Sequence, residues 1–145
     1  MSQPLVVDPR GLRVAATATA TVLALVLVVP GPVSVALLAV QVAIFAVAAL
    51  IGLQHSPYAI VFTRFIRPRI GAPTELEDAR PPRFAQFVGL SFTVVALLAL
   101  LSGAATVAYI ATAFALVAAL LNATVGLCLG CELYLAVRRL APANA

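Results

Sequence analysis

The stretch Gln54–Arg83, QHSPYAIVFTRFIRPRIGAPTELEDARPPR, carries five arginines and three acidic residues. On both sides of it charge all but vanishes. Apolar runs cover Leu12–Val29 and Val33–Leu53 before it, and Phe84–Ser102 and Ala105 to about Val137 after it. A helix needs about 20 residues to cross the hydrocarbon core of a bilayer, so each run is a candidate span, the first marginal and the fourth with length to spare. The first does not read as a signal peptide, because Asp8 spoils a basic leader and no small-x-small cleavage site follows Val29.

Composition agrees with this reading. The 145 residues are 63% hydrophobic and 10% charged, with a mean hydropathy of +1.13, far from the balance of a soluble domain. The expected fold is an all-α integral membrane protein, one four-span domain over residues 1–145. Such a chain is held together by helix packing in lipid, and no soluble catalytic domain fits its length.

Pro30-Gly31-Pro32 joins the first two runs and Ser102-Gly103-Ala104 the last two. These uncharged connectors suit tight turns, so the spans pair as two helical hairpins. All nine basic residues are arginines, and every charged residue lies in the leader, in the 54–83 loop or in the C-terminal region. They share one side, which the positive-inside rule makes the cytoplasm, with both termini inside. The arginines are expected to meet lipid phosphates. Nucleic acid is excluded as a partner, because no basic and aromatic residues interleave as stacking platforms.

Within the loop, Tyr58, Phe62, Phe65 and Ile66 recur at helical spacing beside Arg64 and Arg67. This predicts a helix lying flat at the membrane interface, ended by Pro68 and by Pro81-Pro82.

The chemistry gathers at the end of the fourth run, in Leu127-Cys128-Leu129-Gly130-Cys131-Glu132, which holds both cysteines of the chain. A Cys-x-x-Cys pair can close a disulfide, exchange electrons or sulfur with a partner, or hold part of a metal site. Cys128 and Cys131 precede Arg138 by roughly 15 and 10 Å along a helix. They therefore lie near the cytoplasmic surface, a reducing compartment that disfavours a permanent structural disulfide. In an uninterrupted helix they fall near the C-terminal end, which favours neutral thiols. Two features could instead favour the thiolate, and the sequence does not choose between them: a break at Gly126 or Gly130 that starts a second helix near Cys128, or Arg138 and the central-loop arginines folding over the sulfurs.

Three further features surround the pair. Asn122, Gly126 and Gly130 recur every four residues as a stripe of low bulk suited to close helix packing, with Asn122 in position to reach Gln41 of the second span. Glu132, one turn from Cys128, can shuttle a proton during thiol exchange or pair with an arginine. His55 is the lone histidine. With the two cysteines of one or two chains it could complete a mixed metal site, although no metal or other cofactor is expected.

Taken together, Val7-Asp8-Pro9-Arg10 with Arg13, Ser56-Pro57-Tyr58, Arg67-Pro68, Glu75-x-Glu77 before Pro81-Pro82-Arg83-Phe84-Ala85-Gln86, and Asn122 through Gly126 to Cys128-Leu129-Gly130-Cys131-Glu132 carry a resemblance over most of the chain. They resemble a family of small bacterial membrane proteins catalogued as domain of unknown function four-three-nine-five. The resemblance implies a multi-span membrane protein without an assigned activity, whose relatives sometimes accompany thioredoxin-like or rhodanese-like proteins. A looser likeness is to the vitamin K epoxide reductase group, four-helix membrane proteins with a Cys-x-x-Cys. This chain lacks their second cysteine pair, so a quinone-linked relay between its own cysteines is not expected.

Two functional readings follow. In the first, Cys128 and Cys131 are a catalytic dithiol assisted by Glu132, exchanging electrons or sulfane sulfur with a soluble thioredoxin-like or rhodanese-like partner. In the second, the chain is a scaffold, accessory subunit or small permease with passive cysteines, Gln41, Asn122, Gly126 and Gly130 serving packing. The sequence leaves open whether copies of the chain assemble into a homo-oligomer.

Overall fold

The computed structural model describes residues 5–141 and is almost entirely helical. Four helices are long and apolar enough to cross a membrane: α1 (Pro9–Val28), α2 (Pro32–Ala46, carried to Ile51 by a π-helical turn), α5 (Arg80–Leu101) and α6 (Ala105–Val125). They correspond to the four apolar runs. α1 packs against α2 and α6, and α5 packs against the same two helices, so the four close into a ring.

The starts of two spans follow from capping chemistry. At α1 the Asp8 carboxylate accepts the Arg10 backbone N–H at 3.0 Å, with Pro9 at the first helical position, where its missing N–H costs no intrahelical bond. Pro81 and Pro82 fall within the first turn of α5 for the same reason. They begin that span and do not terminate a preceding helix.

The central loop is helical over most of its first half: α3 (Pro57–Val61), a π-helical turn (Phe62–Ile66) and α4 (Arg67–Ile70) run on without interruption. Pro68 does not end this segment as expected. The π turn shifts the hydrogen-bond register, so the residue without an N–H falls at the start of α4. Gly71, in a positive-φ conformation, ends it. Phe62 is buried against Gly11 of α1, while Ile60, Val61 and Phe65 remain exposed.

The chain then forms a clip too short to read in the sequence. Strand β1 (Val6–Val7) pairs antiparallel with β2 (Glu77–Asp78) and ties the leader to the loop. Beside it Arg80 hydrogen-bonds Asp78 and holds its carboxyl down at about 2.

The fourth apolar run does not continue to Val137 as one helix. α6 stops at Val125, Gly126 takes a left-handed conformation (φ 73°), and α7 (Leu129–Leu140) starts afresh. Only a residue tolerant of positive φ suits that position. The turn returns the Leu127 N–H to the Leu121 carbonyl at 3.2 Å, while Arg13 donates to the carbonyls of Ala123 and Thr124 at 3.2 and 2.9 Å. Arg83 does the same for Ala49 and Leu50 at the end of α2. The arginines thus satisfy carbonyls that a helix end leaves without partners.

Candidate functional site

The break at Gly126 places the cysteine pair at the start of a helix. Cys128 is the N-cap of α7, and its sulfur accepts the Cys131 backbone N–H at 3.1 Å. The two residues are joined as a disulfide with their Cα atoms 5.1 Å apart, the separation that one helical turn provides. Both cysteines are half-buried.

α7 is amphipathic. Leu129, Leu133, Val137 and Leu140 follow one side, and Cys131, Glu132, Arg138 and Arg139 lie toward the other. It seats on α5 through Gly130, where an added Cβ would come 2.5 Å from the Ala85 Cβ and 2.6 Å from its Cα. Tyr134 meets Phe84 with ring centroids 5.6 Å apart.

The stripe expected from Asn122, Gly126 and Gly130 is therefore split. Gly130 does serve close packing, against α5, whereas an added Cβ on Gly126 would meet nothing within 4 Å. Gly126 makes the turn instead.

Asn122 does not reach Gln41. The Gln41 side chain is fully buried, accepts a 2.8 Å hydrogen bond from the Tyr58 hydroxyl and donates to Thr19 Oγ1 at 3.4 Å. Burial raises the Tyr58 phenol above its ordinary value, with hydrogen bonding toward Thr19 working the other way. The loop helix thus returns a polar group to the bundle interior. A lone tyrosine at helical spacing gave no sign of that partnership.

Asn122 faces the cysteines. A small pocket of about 190 Å³ is bordered by Asn122, Gly126, Cys128 and Cys131 together with Arg13 and Gln86. It adjoins a larger cavity of about 490 Å³ within the charged end of the bundle, whose lining includes Cys128, Asn122, Gln86, Tyr58 and Thr19 among mainly apolar side chains. In the sequence Gln86 stands only as the last residue of the run Pro81-Pro82-Arg83-Phe84-Ala85-Gln86. Its place beside the cysteines depends on α7 folding back over α5.

Glu132 lies in the first turn of α7, exposed, and takes part in neither ion pair found among the described residues, Asp8–Arg10 and Asp78–Arg80. His55 is exposed at the end of a short 3-10 turn (Leu53–His55). Among the described residues no three His, Cys, Asp or Glu side chains gather as metal ligands.

A family model for a domain of unknown function, DUF4395, matches residues 7–139. Neither a curated protein nor a solved structure matches the chain.

Proposed function

Because the chain belongs to the DUF4395 family, whose description assigns no activity, we propose from its own site that it is a membrane-embedded dithiol protein, exchanging electrons or sulfane sulfur with a soluble thioredoxin-like or rhodanese-like partner. The observation that carries this reading is Cys128 as the N-cap of α7, its sulfur accepting the Cys131 N–H. A helix N-terminus and a directed N–H donor both favour thiolate over thiol. Those are the conditions under which a Cys-x-x-Cys exchanges disulfides.

Cys128 is then the attacking thiolate and Cys131, one turn on, the resolving thiol. Attack of the Cys128 thiolate on a partner disulfide forms a mixed disulfide and releases one partner thiolate. Attack by Cys131 on Cys128 closes the internal disulfide and releases the second, leaving the partner reduced by two electrons. Glu132, in the first turn of α7, accepts the Cys131 proton in that second step.

The same reading sets the topology. The arginines, the capped ends of α2 and α6, and the β1–β2 clip gather at one end of the bundle. With that end cytoplasmic, the spans form two hairpins with both termini inside. α7 lies along the interface, its leucine side toward lipid and Cys131, Glu132 and the arginines toward water. The loop helices 57–70 lie at the same interface.

The test is a redox titration of purified protein in glutathione and dithiothreitol buffers, with mass-tag alkylation counting free thiols. A reversible two-electron transition, shifted when Gly126→Ala perturbs the turn before Cys128, is expected. Thiols that do not cycle at any poise would overturn the dithiol and leave a scaffold or small permease with passive cysteines.

A further inference from the structure

The larger cavity has a composition that the exchange reaction with a soluble partner does not use. Its volume of about 490 Å³ falls within the roughly 300–1,000 Å³ common for small-molecule sites. Its walls are mainly apolar, and Cys128 borders it. Phe92 and Phe114, with ring centroids 6.1 Å apart, line it while remaining exposed on the outside of the bundle. In a membrane that exposed side meets hydrocarbon. A ligand that suits this wall is lipid-soluble.

Two amides stand at the cysteine end. Gln86 and Asn122 line both the cavity and the smaller pocket that touches the two cysteines, and neither side chain makes a hydrogen bond among the described residues. Each offers an N–H₂ donor to a carbonyl oxygen. Tyr58 and Thr19 supply hydroxyls in the same cavity. The site therefore combines an apolar slot, donors suited to carbonyl oxygens and a two-electron sulfur couple at its edge.

We propose that this cavity binds the ring of a lipid-soluble quinone beside Cys128 and that the reduced cysteine pair passes two electrons to it. The proposal rests on the dithiol reading above and supplies its second substrate. Cys128 and Cys131 lose two electrons and two protons as their S–S bond forms, and the two quinone carbonyls take up both to become the hydroquinone. Gln86 and Asn122 are binding residues that hold a carbonyl oxygen. The absence of a second cysteine pair is no obstacle here: the exchange described above runs in reverse, a reduced soluble partner giving two electrons to the Cys128–Cys131 disulfide and leaving as its own disulfide, and the quinone then re-oxidises the pair.

The test uses full-length protein in detergent or nanodiscs, pre-reduced and mixed without oxygen with decylubiquinone, whose fully substituted ring does not undergo thiol addition. Loss of both free thiols with formation of one hydroquinone per chain is expected. Asn122→Leu and Ala119→Phe, the latter filling the cavity, are expected to slow this step at least about tenfold, the effect of one lost hydrogen bond or of blocked entry. The exchange of Ala119→Phe with glutathione should be unchanged, which also shows that it folds. Thiols that cycle with glutathione but stay reduced in decylubiquinone would overturn the quinone proposal alone, as would variants that react as fast as the parent. Thiols inert to both reagents would overturn the dithiol reading as well.

Discussion

At the uncharged end, Leu23 and Val26 of α1, Leu38 of α2, Ala96 of α5 and Ala111 and Ala115 of α6 close on one another in a buried cluster. At the charged end the same four helices stand around a cavity of about 490 Å³. The first end has regular helices joined by turns at Gly31 and Gly103. The second has π-helical turns, a broken fourth run and arginines capping exposed carbonyls. Lipid gives apolar helices little hydrophobic reason to associate, so stability must come from close contact. One end of the bundle supplies that contact, and the other is free to hold a site.

The sharpest way to break this contrast is to alter volume at each end. Leu23→Ala removes a side chain with no exposed surface and is expected to cost about 2–5 kcal/mol, the range for cavities cut into close-packed interiors. Ala119→Leu, which adds volume along the larger cavity, is expected to be neutral or to stabilise by up to roughly 2 kcal/mol. Thermal unfolding in detergent reads both. Equal losses would mean that the charged end is as tightly packed as the other.

A second effect tests how α7 is seated. Gly130→Val places a branched side chain against the backbone of Ala85, where even one Cβ would sit 2.6 Å from the Cα. Overpacking of this kind costs about 1–3 kcal/mol. Because α7 is a peripheral helix, the expected outcome is its release from α5 with the four spans intact. Faster alkylation of the reduced cysteines, with little change in the unfolding temperature of the bundle, would show it. If alkylation is unchanged, the α5–α7 contact is not what positions the pair.

A third concerns the polar link between the ends. Gln41→Leu removes the acceptor of the Tyr58 hydroxyl and the donor to Thr19. Side-chain hydrogen bonds within membrane bundles are worth about 0.6–1.7 kcal/mol by double-mutant cycles. A loss of about 1 kcal/mol is expected, with Tyr58→Phe giving a similar loss and the double variant no more than either. Additive losses would mean that the two residues act separately.

The spans were legible because their signal is long and one-dimensional. Twenty-residue apolar runs and arginines confined between and beyond them act through local sequence. The break at Gly126 was less so, because Leu127, Leu129, Leu133 and Leu135 keep the run apolar past the point where the helix ends. The periodicity of Cys131, Glu132, Arg138 and Arg139 against the leucines was the usable sign that α7 is a separate amphipathic helix. Pairings that depend on chain return were not legible at all. Gln41 was matched with Asn122 by depth, but the helical loop brings Tyr58 back to Gln41, and the folded-back α7 leaves Asn122 beside the cysteines. A two-residue strand pair such as β1–β2 carries too short a pattern to stand out.

The smallest expected effect separates capping from charge at the loosened end. Asp8 is buried, caps α1 and pairs with Arg10 at 2.8 Å. The hydrogen-bonded Arg10 guanidinium lowers its carboxyl below the ordinary 3.8, against an opposing effect of burial. A carboxyl lowered by folding binds fewer protons in the native state than in the unfolded one. Its contribution is therefore complete above about pH 4 and is lost as pH falls through the lowered native value. Asp8→Ala loses the capping acceptor at every pH, a cost of about 1 kcal/mol. Asp8→Asn keeps an acceptor and loses only the charge, so it should be slightly less stable than the parent near neutrality, and the gap should close as pH falls below 4 and the parent's carboxyl is protonated. Asp78, also lowered, titrates in the same window in both proteins, so the difference between their curves isolates Asp8. Curves that remain parallel down to pH 2 would assign the whole role of Asp8 to its cap and none to its ion pair.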